Sequence, residues 1–325
     1  MSYQKVRLSD IAKETHVSHA TVSAILNGKE GGSIRYSQET SDAVRRKARE
    51  MGYVPNQAAR NLQHGNPDLI AVFTYEDIFP VESQTEFYDF FVGVQKEAER
   101  LGYDLLILNT RKNLSSSRLT LASGAVMIGV NRNDQDIKAL ASQEYPLVFV
   151  GRRAIEELDT HWVTFDYQAI ITEVFSRIPA SCRGVLILKQ AHAQSEPSQD
   201  KEQAIRTLCQ ERGLPVVCQA MEQVIPEESV SCIRQGWFVM VDRLSLVPSL
   251  DGCLDAMGFS LGKEVHGFVL EDDWMGTGIR WSHWTNERKR LGQLAVTHLT
   301  AMIENGETAA LPYLVPLSFV SGASC

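Results

Sequence analysis

Long apolar runs are the first thing missing from this sequence: none approaches the ~20 residues that a bilayer-spanning helix needs. The N-terminus also lacks the apolar core of a secretory signal, so neither an integral membrane protein nor an exported one is expected. Disulfide and metal patterns are absent too. Cys182, Cys209, Cys218, Cys232, Cys253 and Cys325 form no CxxC pair and no metal-ligand spacing, and read as reduced thiols. No GxSxG, HExxH or Walker sequence occurs. Gly276-Thr277-Gly278 lacks the strand-to-helix setting of a dinucleotide loop, and Glu271-Asp272-Asp273 reads as a solvated loop rather than a hard-cation site. The chain is therefore not expected to be an enzyme, and no cofactor or metal is implied.

What is present fits a soluble, multidomain protein. The 325 residues are 44% hydrophobic and 22% charged, which suits two or three domains. The net charge of −8 is unevenly spread, because residues 1–64 hold ten Lys/Arg against six Asp/Glu while the remainder carries the acidic excess. A basic head on an acidic body suggests that the head alone meets a polyanion.

The head contains "VSHATVSAILN" (17–27), a stretch without a formal charge, flanked by Lys5, Arg7, Lys13, Lys29 and Arg35. Ser9 can cap a short helix through about Thr15 with Ile11 and Ala12 facing inward, and Val17 falls in a tight turn. Ser18 can cap a second helix. Its Val22, Ile25 and Leu26 form one apolar face, and His19, Ala20, Thr21, Ser23 and Ala24 form the other. Two short helices and a three-residue turn make a helix-turn-helix whose second helix enters the major groove of DNA. Small side chains let such a helix lie close to base edges, while Ser and Thr hydroxyls reach phosphates. An ordinary helical hairpin within a core is the alternative. The basic flanks and an amphipathic third helix, about Gln38 to Met51, argue against it.

"VRLSDIAKETHVSHATVSAILN" followed by "SQETSDAVRRKAREMGYVPNQAARNL" resembles the DNA-binding head of the lac repressor family. The shared parts are L-x-D-I-A, V-S-x-x-T-V-S, the Ser-x-x-Thr start of the third helix and G-Y-x-P-N-x-x-A. The resemblance implies that His19 and Ala20 choose bases, and that Thr21, Ser23, Asn27 and Thr40 contact phosphates beside the cap residue Ser18. Ala24 stands where the family usually has Arg, so a guanine-reading guanidinium is missing. The loop "GKEGGSIRY" is longer than usual, which makes Lys29 and Arg35 candidates for substitute contacts.

Residues 56–63 follow Pro55 and precede the linker signal "HGNP". Ala58, Ala59 and Leu62 share one edge of a helix too short to stand alone in water, so it is expected to form only when paired on DNA. By the same resemblance Asn56 and Ala59 approach the DNA and Leu62 wedges into the minor groove, kinking the duplex.

From Leu69 onward the chain alternates buried-strand runs and helical stretches: "LIAVFTY", "YDLLILN", "AVMIGV" and "PLVFVG", then "GVLILK", "PVVCQ", "WFVMVD" and "EVHGFVL". A helix over Phe87 to Leu101 lies between the first two. The signatures "EMGY", "RLGY", "ERGL" and "AMGF" each place Gly at a left-handed helix exit. The expected fold is α/β: an all-α helix-turn-helix head (1–55), a hinge and linker (56–67), and a two-lobed, doubly wound parallel-sheet body (68–325) like periplasmic sugar-binding proteins. By family analogy lobe 1 takes about 68–165 and 286–315, and lobe 2 about 166–285 and 316–325. A helix over 287–304 returns to lobe 1, which supplies much of the dimer interface.

The cleft between such lobes is the expected effector site. The family's S-x-x-R-x-x-G segment appears here as "SEPSQDKEQAI", with Pro197 and Asp200 about where Arg and Gly would be, and its G-[FY]-D-D as "GFVLEDD". The run from Asn109 to Gly124 is shorter than the family's helix-bearing segment. Candidate effector residues at strand ends are Tyr75, Asp77, Phe79, Arg152, Arg153, Asp166, Asp242 and Glu271, with Trp274, Trp281 and Trp284 able to stack on a ring. These readings converge on a DNA-binding transcription regulator, a repressor, expected in the bacterial cytoplasm at the nucleoid. Its expected partners are a double-stranded operator, a small polar effector such as a sugar or related metabolite, and further copies of itself in a homodimer or tetramer. The alternatives are a constitutive regulator with a degenerate cleft and, from another class, a solute-binding protein.

Overall fold

The computed structural model describes residues 6–26, 34–53, 68–74, 87–109, 116–119, 121–129, 134–190, 195–222, 224–274, 276–285, 287–306 and 313–325. They belong to two compact units, Met1–Pro67 and Asp68–Cys325.

In the first unit, α1 spans Leu8–Thr15, α2 His19–Leu26 and α3 Gln38–Glu50. Helix α1 starts two residues earlier than a Ser9 cap would require. Its N-cap is Arg7, whose amide donates to the Asp10 carboxylate at 2.9 Å, so an acidic third residue does the capping. His16 leaves α1 in the left-handed conformation (φ 54°), and the Val17 amide donates back to the Ala12 carbonyl at 3.1 Å. Ser18 then caps α2: its Oγ accepts from the Thr21 amide at 3.1 Å. Ser37 repeats the device on α3 with Thr40, also at 3.1 Å. Ile11, Val22, Ile25, Val44 and Ala48 form the buried core of the three helices.

The body contains two six-stranded sheets. The first carries β1 (Leu69–Thr74), β2 (Asp104–Asn109), β3 (Ala125–Ile128), β4 (Leu147–Val150), β5 (His161–Phe165) and β11 (Tyr313–Val315), in the order β2-β1-β3-β4-β5-β11, all parallel. The second carries β6 (Val185–Gln190), β7 (Val216–Met221), β8 (Phe238–Val241), β9 (Gly267–Val269), β10 (His283–Thr285) and β12 (Ser318–Val320), in the order β7-β6-β8-β9-β10-β12. It is parallel except where β12 runs against β10. The two sheets thus repeat one winding, and in each the last strand arrives after the chain has visited the other sheet. Strands β3, β4, β8 and β9 are buried at every position, as a parallel sheet covered on both faces requires.

Helices α4 (Tyr88–Leu101) and α11 (Arg288–Asn305) cover one face of the first sheet, with α5 (Ser116–Leu119) and α6 (Asp134–Ala141) on the other. Helices α7 (Tyr167–Ser176) and α8 (Glu196–Arg212) lie on one face of the second, opposite α9 (Glu227–Arg234) and α10 (Val247–Ala256). Where α4 crosses α11, a methyl group on Gly93 would collide with the Lys289 carbonyl, and one on Gly292 with that of Phe90. The crossing is close because both positions lack a Cβ. The four Gly-aromatic or Gly-aliphatic helix exits all hold Gly at positive φ: Gly52, Gly102, Gly213 and Gly258. Among the described residues, no helix is long and apolar enough to cross a membrane.

Candidate functional site

The head presents a compact polar surface at the start of α2. Ser18, His19 and Ala20 are exposed, and Thr21 and Ser23 half-buried. Ser18 Oγ and Thr21 Oγ1 also hydrogen-bond each other at 2.8 Å, as do Ser37 and Thr40 at the start of α3. Each helix start therefore carries a paired hydroxyl beside its free amides, an arrangement that favours an anion. Ala24 corrects the sequence reading, which put it on the outer face. It is only 7% exposed and packs inward, so this position offers nothing to a base edge. Arg7, Lys13, Arg35, Arg45, Arg46 and Arg49 are exposed. Lys47 instead ties α3 to α1 through Glu14 at 3.5 Å. Asn27, Asn56, Ala59 and Leu62 lie outside the described residues.

In the body, the carboxyl ends of the strands meet in a cavity of about 100 Å³. Ile128 and Gly129 follow from β3, Val150 and Gly151 from β4, Thr164 and Phe165 from β5, Leu270 and Glu271 from β9, and Trp284 from β10. Helix starts complete the wall with Phe87, Tyr167, Pro197 and Arg288. Burial pushes the Tyr167 hydroxyl far above its usual range, so it stays protonated.

Charged side chains at the cleft are paired across it. Arg152 contacts Asp200 through Nε at 2.8 Å, and that bond holds the guanidinium above its usual range. Arg153 meets Glu196 at 3.2 Å with both side chains buried, and Arg288 meets Asp272 through Nε at 3.3 Å. In each pair the cation belongs to the unit of the first sheet and the carboxylate to that of the second. Within the second, Lys201 pairs with Asp242 and donates to the carbonyls of Asp242 (3.2 Å) and Leu270 (3.1 Å). Burial pushes the Asp242 carboxyl up, but the charges of Lys201 and Arg243 and hydrogen bonds from Lys201 and Ser198 outweigh it and hold the group below its usual range. Glu271 accepts from the Leu244 amide at 2.6 Å and from Arg243 at 3.1 Å.

The structure therefore separates the sequence candidates. Arg153, Glu271 and Trp284 line the cavity. Five others do not, each for a visible reason. Asp166 is the N-cap of α7, accepting from the Ala169 amide at 3.0 Å. Asp242 is 3% exposed and paired with Lys201, and Arg152, outside the wall, is held by Asp200. Trp274 packs against the core of the second sheet, as does Trp281, which donates to Asp251 at 2.7 Å. Tyr75, Asp77 and Phe79 lie outside the described residues. The acidic run 271–273 is distributed among Arg243, Arg288 and the Thr277 and Gly278 amides, and no cluster of metal-ligating groups occurs among the described residues. Sequence reading missed Lys201, Arg243 and Arg288. Arg243 follows the candidate Asp242 and Arg288 starts α11, signals that strand-end counting passed over; Lys201 lies inside α8, where no strand end marks it.

Residues 7–56 match the lacI family of bacterial regulatory proteins. The match takes in all three helices of the head. CelR of Thermobifida fusca, an HTH-type transcriptional regulator, is 27% identical over 45% of this chain and 43% of its own length, so the chain spans less than half of that relative. KdgR of Bacillus subtilis, also an HTH-type transcriptional regulator, is 22% identical over 84% of each chain. Among solved structures, the lac repressor dimer bound to operator and the anti-inducer ONPF superposes with a TM-score of 0.73 at 16% identity, covering 99% of both chains. A complex of a transcriptional regulator CelR with cellobiose gives 0.60 at 17%, covering 99% of this chain and 100% of that one. At these identities the likeness of the body is one of fold: a lacI-type head followed by a periplasmic-binding-like body.

Proposed function

We propose that the chain is a sequence-specific transcription regulator, a repressor, that binds a near-palindromic operator as a dimer and is switched by a small polar effector held between the lobes. One observation carries the proposal: a lacI-family head whose Ser18-capped helix exposes His19 and Ala20 while its apolar face is buried. In this reading His19 and Ala20 meet base edges, and Thr21, Ser23, Asn27 and Thr40 meet phosphates. Asn56, Ala59 and Leu62 are assigned to the minor groove on sequence grounds alone. One head touches only a few bases, so useful specificity needs two. Exposed apolar side chains on the first sheet's edge strand β2 (Ile107, 46%) and on α4 (Tyr88, 41%) support pairing of copies.

Sedimentation of the full chain with a duplex obtained by site selection tests this. Two chains per duplex and a near-palindromic consensus are expected; one chain per site, on a consensus without symmetry, contradicts the proposal. The cross-lobe ion pairs favour a second reading, in which the cleft is held shut by its own side chains and the regulator is constitutive. A metabolite that changes operator affinity decides against it.

A further inference from the structure

Chemistry of the cavity wall points to the charge of its ligand. Among the described lining residues Arg153, Lys201, Arg243 and Arg288 are cationic, whereas Glu271 is the acidic one. The carboxylates that balance the other three cations, Glu196, Asp242 and Asp272, do not belong to that lining. Each pair is thus oriented with its positive end toward the cavity. Four helices of ten residues or more also start at the wall, at Phe87, Tyr167, Pro197 and Arg288, and a helix start carries a partial positive charge.

Hydrogen-bonding capacity leads the same way. Arg and Lys side chains donate only, so acceptors on the described side chains come from Thr164, Tyr167 and Glu271. Glu271 already accepts from Leu244 and Arg243. A neutral polyol brings a donor with every hydroxyl and needs acceptors to match. A carboxylate or phosphate brings acceptors alone, and the side chains of this wall are rich in donors and poor in acceptors.

We propose that the cavity takes a small organic anion, bearing a carboxylate or a phosphate group, rather than a neutral sugar. The body of that ligand lies against Phe90, Phe165 and Trp284, and the ~100 Å³ of space admits a compact molecule, well below the ~300 Å³ where drug-sized pockets begin. The inference rests on the reading of the cleft as the effector site. It is nevertheless tested without DNA, so its failure is separable from failure of the regulator assignment.

The experiment is thermal unfolding of the full chain at constant ionic strength. The probes are glycerate, gluconate, glycerol 3-phosphate and inorganic phosphate, each set against glycerol or glucose. At ~100-fold excess over Kd the anion should raise the melting temperature by roughly 5–10 °C, and the neutral compounds should leave it in place. Comparing the carboxylates with the phosphates tells which group is recognised. The double variant Arg243→Gln/Glu271→Gln removes one cation together with its partner, so it keeps the local charge balanced. It should lose the anion response while its own melting temperature stays near the parent's. A shift produced by glucose or glycerol and not by the anions overturns the proposal. So does the absence of a shift with every anion, or an undiminished response in the double variant.

Discussion

The recognition surface of the head and the wall of the cleft are built on opposite rules. The head leaves its working groups exposed. His19 and Ala20 stand in solvent, and Arg7, Lys13, Arg35 and Arg46 of the same unit are exposed as well. The cleft spends its charges internally, with Arg153, Lys201, Arg243 and Arg288 each against a carboxylate. A surface that meets DNA exchanges counterions for phosphates and keeps its cations accessible. A buried cavity cannot leave a charge uncompensated, because desolvation then costs several kcal/mol. The head therefore reads a ligand that arrives with charge, and the cleft must rearrange to receive one.

The largest effect that would sharpen this contrast is in the cleft. Lys201→Met leaves Asp242 buried without its cation and should cost about 3–5 kcal/mol in urea unfolding of the body, with salt-dependent binding to non-specific DNA unchanged. A loss below 1 kcal/mol would mean that the pair is solvated and the contrast false.

Acid gives a related test. The folded-state pKa of Asp242 lies below its unfolded value, so its contribution to stability is present above about pH 4 and lost as pH falls through the folded value. His298 acts nearer neutrality. Burial and the neighbouring His161 lower its pKa, so the unfolded chain binds the proton first and the body should lose stability as pH drops below about 6.5. Unfolding of His298→Phe between pH 5 and 7 should show a flatter profile than the parent. An identical slope would assign that dependence elsewhere.

In the head the expected changes are smaller. Ser18→Ala removes the α2 cap and should lower head stability by about 1 kcal/mol, read from the first thermal transition. Smallest of all is Arg152→Gln. Its pair with Asp200 is partly exposed, so the expected loss is about 0–1 kcal/mol, shrinking further in high salt. A large, salt-independent loss would make Arg152 as integral as Lys201.

The same contrast governs what could be read from the chain. The head was legible because a local pattern determines it: a Ser cap, three apolar positions and a turn lie within twenty residues. The eight apolar runs became strands β1–β4 and β6–β9 for a similar reason: six lie inside the sheets, where strands covered on both faces are apolar, and β2 and β7 at the edges are apolar runs as well. The remaining strands, β5, β10, β11 and β12, escaped notice. "HWVTF", "HWT", "YLV" and "SFV" are short or mixed in polarity, and they lie on the side of each sheet where the chain changes lobes. The cleft was harder still. Strand ends correctly pointed to Arg153, Glu271 and Trp284, but whether a charged residue faces the cavity or a partner depends on residues 28 to 48 positions away, such as Glu196 for Arg153 and Asp200 for Arg152. No periodicity encodes that choice.

The most direct test of the account is a binding-site selection with the parent chain and with His19→Gln/Ala20→Asn. Both substituted residues are exposed at the start of α2, so the fold and the salt dependence of binding should hold. The account predicts that the double variant selects a different base pair at one or two symmetry-related positions, with about 1–3 kcal/mol of discrimination against the parent site at each. The same consensus recovered from both proteins would contradict it and remove α2 from the work of reading DNA.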